Sequence, residues 1–84
     1  VRLGILSRLV ADDAVREAAR ELAVTLARGP RTTYAGMKEL LRASLTSSLS
    51  DQLDRERDGI AAAANSPAGR EGVDAFVQKR PPRF

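Results

Sequence analysis

The chain has 84 residues with a formal net charge of +3, and it contains no cysteine or histidine. This length allows one domain with a thin core, since a chain so short buries only about 60% of the surface that it exposes when unfolded. The missing residue types exclude disulfides, Cys- or His-ligated metal sites, and Ser-His-Asp or Cys-His catalysis.

The charge pattern is typical of solvated helix faces. Fourteen basic residues alternate with eleven acidic ones along most of the chain, so the high pI alone is weak support for a nucleic-acid partner. No apolar run reaches the roughly 18 residues of a membrane span. The absence of cysteine suits a reducing compartment, and we expect a soluble, cytoplasmic protein. Twelve arginines against two lysines favour a bacterial source with a GC-rich genome.

Residues 1–11 precede the first predicted helix, and we expect an extended segment or a short strand there. A helix over residues 12–28 follows, in which Asp12 or Asp13 is placed to cap the first turn and apolar residues recur at helical spacing. Gly29 and Pro30 are residues that end helices.

Three more helices are predicted, over residues 32–43, 48–64 and 67–79, followed by a tail over residues 80–84. Ser48 followed by Asp51 has the spacing of a capping box. Ser66 and Pro67 are favoured at the cap and at the first turn of the last helix, and Pro81 and Pro82 disfavour its continuation. The fold class is therefore all-α, with about four helices in one domain over residues 1–84.

No catalytic residue is predicted within this chain. Most of its carboxylates fall on polar helix faces or in first turns, where solvation and capping account for them. Glycine-rich phosphate loops are absent from the sequence. We predict that the 84-residue chain alone is inactive and holds no metal and no cofactor.

The basic tail is the feature that points to a ligand. Arg70, Lys79, Arg80 and Arg83 lie within the last fifteen residues. These cations could bind phosphate groups, could form a nucleic-acid arm, or could only complement the negative end of the helix dipole. Phe76 lies near the same helical side, where it could be a core anchor, a ligand contact or both.

The ending REGVDAFVQKRPPRF resembles the C-terminal ending of the crotonase superfamily, the enoyl-CoA hydratase and isomerase enzymes. The likeness extends upstream through LGILSRLVADD, the helix that ends in Gly29-Pro30, the segment around Lys38 and the stretch SLSDQLDRERDGIAAAANSPAGREG. It covers all 84 residues in order. Residues matching the ending are Glu71, Gly72, Ala75, Phe76, Lys79, Arg80, Pro81 and Phe84.

The resemblance implies that this chain is the C-terminal helical domain of a crotonase-like enzyme of fatty acid metabolism. In that family an enolate is stabilised in an oxyanion hole, and the catalytic glutamates lie in an N-terminal spiral domain that this chain lacks. The resemblance assigns CoA binding to Phe76 and Lys79 and an acyl-pocket position to Ile60. It further implies an acyl-CoA substrate, no separate cofactor, and a homo-oligomer, either a trimer or a hexamer.

Two other functions stay open from the sequence. A small helical protein-protein assembly module would explain the many alanines and the thin core without any catalysis. A basic nucleic-acid-binding helical protein has only the charge balance and the tail in its favour, because aromatic stacking residues and a recognisable reading helix are absent.

Overall fold

The structure, a computed structural model, describes residues 1–84 and contains four helices and no strand, which confirms the predicted all-α class. The helices are α1 (Val15–Ala27), α2 (Arg31–Ser44), α3 (Leu49–Asn65) and α4 (Pro67–Val77). Residues 1–11 form a turn and irregular chain, with Gly4 donating its N–H to the Val1 carbonyl at 3.0 Å. No helix combines the length and the hydropathy that a membrane span requires.

The start of α1 differs from the prediction. Asp12–Ala14 forms a short 3-10 turn, and neither aspartate side chain caps a helix N–H group. The reason is that the tighter turn places Ala14, and not an aspartate, at the N-cap of α1. The predicted cap at Asp12 or Asp13 is therefore wrong, although both carboxylates still lie near the positive end of the helix dipole.

Side-chain caps begin both α3 and α4, as the sequence predicted. Ser48 Oγ accepts the Asp51 N–H at 3.1 Å, and Ser66 Oγ accepts the Gly69 N–H at 3.0 Å. Pro67 occupies the first turn of α4, where its missing N–H has no helical partner to lose. One serine thus separates α3 from α4 and turns the chain sharply.

The helices pack in a row rather than around a centre. Helix α2 packs on α3, and α3 packs on α4, whereas α1 packs mainly on the turn that precedes it. The Gln52 amide of α3 donates to the Leu40 carbonyl of α2 at 3.1 Å. Gly69 lies so close to α3 that a Cβ there would overlap the carbonyl oxygens of Ala63 and Ala64.

The core is almost absent, because Ala75 is the only residue that is buried, at 1% exposure. A compact monomer of 9.0 kDa would expose about 4,900 Å², whereas this chain exposes 7590 Å². Its radius of gyration is 16.3 Å, against about 12 Å for a compact domain of this length. The apolar stripes of the helices are therefore largely uncovered within this chain.

Candidate functional site

The C-terminal end of α4 is closed by two backbone hydrogen bonds. The Arg80 N–H donates to the Ala75 carbonyl at 3.0 Å, and the Lys79 N–H donates to the Phe76 carbonyl at 3.2 Å. This pair is the Schellman arrangement, which satisfies carbonyls that a helix end would otherwise leave unpaired. The helix therefore ends at Val77, two residues before the predicted end at Lys79 and well before the prolines.

Lys79 occupies the left-handed position of this arrangement. Its φ is +52°, and it is the only residue other than glycine with a positive φ. Glycine is the usual residue at this position, because a Cβ in the left-handed region approaches the carbonyl oxygen. Such a strained residue persists only when its surroundings hold it in place, and residues of this kind concentrate at ligand-binding sites.

Glu71 holds the chain that follows Lys79. Arg80 Nη1 lies 2.6 Å from Glu71 Oε1, and Arg80 Nη2 lies 3.0 Å from Glu71 Oε2. The Arg83 backbone N–H donates to Glu71 Oε1 at 2.8 Å. We call the Glu71 carboxylate, the Arg80 guanidinium and the Arg83 N–H the tail clamp. Because the ion pair is bidentate, it fixes orientation as well as distance.

The tail clamp lowers the pKa of Glu71 from its usual 4.5 to about 2. The largest cause is the hydrogen bond from the Arg80 side chain, followed by the bond from the Arg83 backbone. Hydrogen bonds that favour the charged form of a carboxyl group lower its pKa. Glu71 is therefore ionised at neutral pH, and the clamp is intact there.

The last residue reinforces the return of the chain. The Phe84 ring lies against α4 at Gly72, about 4.0 Å from where a Cβ on that glycine would be. The tail, the start of α4 and Thr32 of α2 together line an open cleft of about 320 Å³. Residues 80–84 thus fold back along α4, with residues 81–84 still exposed.

Phe76 does not anchor a core within this chain. Its side chain is 85% exposed, and Val73 and Val77 on the same helix are also exposed. An apolar helix face that remains uncovered marks a surface for another chain segment, another subunit or a ligand. Phe76 therefore has no role as a core anchor within these 84 residues. The remaining roles need a partner outside them, either a ligand or another part of the protein.

The basic residues of the tail fall into two groups. Arg80 is engaged by Glu71, and its Nε also donates to the Gln78 side chain at 2.8 Å. Lys79, Arg70 and the Arg83 side chain form no ion pair. Since Arg80 is already paired, the nucleic-acid arm loses one of its four cations. Lys79 stands out among the remaining cations, because only its backbone is held in a strained conformation.

Ile60 lies in a different part of the molecule. It is 69% exposed and lines a groove of about 580 Å³ between α2 and α3, together with Met37 and Leu40. The lining of this groove includes neither Phe76 nor Lys79. The structure therefore places the predicted CoA-binding pair at the end of α4 and the predicted acyl-pocket residue on α3.

Sequence reasoning missed the tail clamp. Solvation and capping account for most carboxylates of the sequence, and nothing in the sequence distinguishes Glu71 from them, yet Glu71 accepts three hydrogen bonds. Glu71 and Arg80 are nine residues apart, which is not a helical contact spacing, and only the chain reversal at Lys79 brings them together. Elsewhere, no three carboxylates lie close enough together to hold a metal ion.

The chain is similar to known proteins over its whole length. The family model described as enoyl-CoA hydratase/isomerase matches residues 1–84. A 1,2-epoxyphenylacetyl-CoA isomerase of Escherichia coli is 37% identical over 81 residues, which is 96% of this chain and 31% of the relative. A probable enoyl-CoA hydratase of Rhodobacter capsulatus is 37% identical over 83 residues. A probable enoyl-CoA hydratase of Mycobacterium bovis is 34% identical over 83 residues. In both cases the match covers 99% of this chain and 32% of the relative, so the chain spans about a third of the length of these proteins.

Proposed function

Because this chain belongs to the enoyl-CoA hydratase/isomerase family, the crotonase superfamily, we propose that it forms the C-terminal helical part of an enzyme acting on acyl-CoA thioesters. The full-length protein would stabilise a thioester enolate in an oxyanion hole, while carboxylates move protons or activate water. These groups would lie outside the 84 residues. The role of this chain is to cover the active site and to help hold CoA, with no cofactor beyond the acyl-CoA substrate.

The observation that carries the CoA-binding role is the exposed pair at the end of α4. Phe76 is exposed and Lys79 forms no ion pair, and the Lys79 N–H bonds to the Phe76 carbonyl at 3.2 Å. An ammonium group is a compact charge that suits a phosphate. In this proposal Lys79 meets the 3′-phosphate of CoA and Phe76 gives apolar contact beside it, across a subunit boundary in an oligomer.

The groove between α2 and α3 is proposed as the acyl side of the site. Ile60 and Met37 supply apolar surface there, and the volume of about 580 Å³ falls in the usual range of small-molecule pockets. The groove is open within this chain. We propose that the rest of the full-length protein closes it and sets the acyl-chain preference.

Self-association is the proposed reason for the uncovered helix faces. On helix α1 the residues Val15, Leu22 and Leu26 are each about half exposed, and α4 exposes Phe76. Faces of this kind become stable when another domain or another subunit covers them. We propose a homo-oligomer, a trimer or a hexamer, in the bacterial cytoplasm, and the bacterial relatives support the source.

The same uncovered faces favour a second candidate function, that of a helical assembly module without any catalytic role. Turnover distinguishes the two functions. The enzyme proposal expects the full-length protein to hydrate or isomerise a short enoyl-CoA, and the 84-residue chain to be inactive under the same conditions. A full-length protein that neither binds CoA nor turns over any enoyl-CoA contradicts the proposal, as does turnover by the 84-residue chain alone.

A further inference from the structure

We infer that the tail clamp positions Lys79 for anion binding, so that Glu71 and Arg80 act through Lys79 as positioning residues for the CoA phosphate. The inference rests on the proposed function, because it takes a CoA phosphate as the ligand of Lys79. It adds Glu71 and Arg80 to that site. These two residues stabilise a short chain reversal in which the strained residue, Lys79, is held by hydrogen bonds on both sides.

The first step is the location of the strain. Among residues other than glycine only Lys79 has a positive φ, and glycine could occupy the same position without strain. A lysine there gives the chain no conformational benefit that glycine would not also give. What lysine adds is its ammonium group, which forms no ion pair with the 84 residues.

The second step is the restraint on either side of Lys79. On the helix side, its own N–H bonds to the Phe76 carbonyl. On the tail side, Arg80 is fixed by its N–H bond to Ala75, the only buried residue, and by the bidentate pair with Glu71. With both neighbouring segments fixed to α4, the Lys79 backbone is held at the angle at which its side chain leaves the helix end.

The third step is the part that Glu71 plays. A single carboxylate accepts from the Arg80 side chain and from the Arg83 backbone. Arg83 is four residues beyond Lys79, so the carboxylate fixes the chain on the far side of the reversal. The paired charges of Glu71 and Arg80 also cancel, which leaves the side chains of Lys79 and Arg83 as the unpaired cations next to the reversal.

The magnitude follows from the population of the left-handed conformation. Without the clamp, a lysine would occupy that conformation in a small fraction of molecules, and the apparent affinity for the phosphate would fall by that fraction. The usual penalty of the left-handed region corresponds to an affinity loss of about 5- to 30-fold. We expect a loss of this size for CoA, and a much smaller loss for a ligand without the 3′-phosphate.

The experiment compares dissociation constants for CoA and dephospho-CoA, measured by titration calorimetry on the full-length protein. The test variants are Glu71→Gln, which removes the charge but keeps the shape, and Arg80→Lys, which removes the bidentate geometry. Asp74→Asn is the matched control, because it removes one carboxylate charge from the same helix without breaking a hydrogen bond to Arg80. Lys79→Ala serves as the reference for loss of the ammonium group.

The inference expects Glu71→Gln and Arg80→Lys to weaken the binding of CoA and to weaken the binding of dephospho-CoA much less. The kcat at saturating substrate should change less than the dissociation constant. Asp74→Asn should show no such selective loss. Equal losses for the two ligands, or no loss, in both test variants overturn the inference. If neither test variant shows a selective loss while Lys79→Ala weakens the binding of CoA selectively, the clamp is not needed and the proposed role of Lys79 stands without it. If Lys79→Ala shows no selective loss either, the proposed contact between Lys79 and the phosphate is itself wrong.

Discussion

Replacing Lys79 by glycine should stabilise the protein, although it removes a proposed ligand contact. Lys79 has a φ of +52°, in the region where an L-residue is less stable than glycine by about 1–2 kcal/mol. Lys79→Ala keeps the Cβ and its strain, whereas Lys79→Gly removes both. We therefore expect Lys79→Gly to exceed Lys79→Ala in free energy of unfolding by about 1 kcal/mol, after allowing for the greater freedom of glycine in the unfolded chain.

The assay is urea denaturation of the full-length protein with the two variants measured side by side. Gln78 provides the matched control, because it is the preceding residue and its φ of −81° lies in the right-handed region. There the order should reverse, and Gln78→Gly should be less stable than Gln78→Ala by about 0.5–1 kcal/mol. If Lys79→Gly is no more stable than Lys79→Ala, then Lys79 is not held in the left-handed conformation and the argument for a strained position is wrong.

Three further predictions concern the fold and its assembly. Folding lowers the pKa of Glu71 from 4.5 to about 2, so the ionised carboxylate stabilises the fold. In urea denaturation, wild type should exceed Glu71→Gln in free energy of unfolding by the full amount above pH 4.5, and the difference should shrink as the pH falls towards 2. A difference that does not change with pH would contradict the clamp. Gly69→Ala should destabilise the fold by about 1–3 kcal/mol, because the added Cβ would overlap the backbone of α3. Gly36→Ala is the control and should not destabilise the fold, because a Cβ there would meet open space. Equal effects would show that α3 and α4 are not in close contact. The 84-residue chain should self-associate with rising concentration in light scattering, and a tight monomer would contradict the account of uncovered faces.

The sequence predicted the helices best where a local signal determines the structure. Ser48 and Ser66 cap their helices as expected, and α1 is followed by Gly29 and Pro30, because a cap or a stop depends only on a few neighbouring residues. The predicted aspartate cap of α1 was wrong, because Asp12–Ala14 forms a 3-10 turn and Ala14 becomes the N-cap of α1. Composition also indicated a thin core, and the structure buries only Ala75.

The candidate site was predictable only in part. The resemblance indicated Phe76 and Lys79, and their spacing of three residues predicted that they lie near each other at the C-terminal end of the last helix. Their conformation was not predictable, because a lysine at the left-handed position carries none of the signal that a glycine would carry there. The pairing of Glu71 with Arg80 depends on that reversal, so it was equally hidden from the sequence.

The most direct test of the account is the affinity of the full-length protein for CoA when Lys79 is replaced by alanine. A charge-assisted contact with a phosphate contributes about 1.5–3 kcal/mol, so we expect CoA to bind about 10- to 150-fold more weakly to Lys79→Ala than to wild type. Dephospho-CoA should bind to the two proteins with similar affinity. Equal losses for both ligands, or wild-type affinity for CoA, would contradict the claim that the end of α4 holds the 3′-phosphate of CoA.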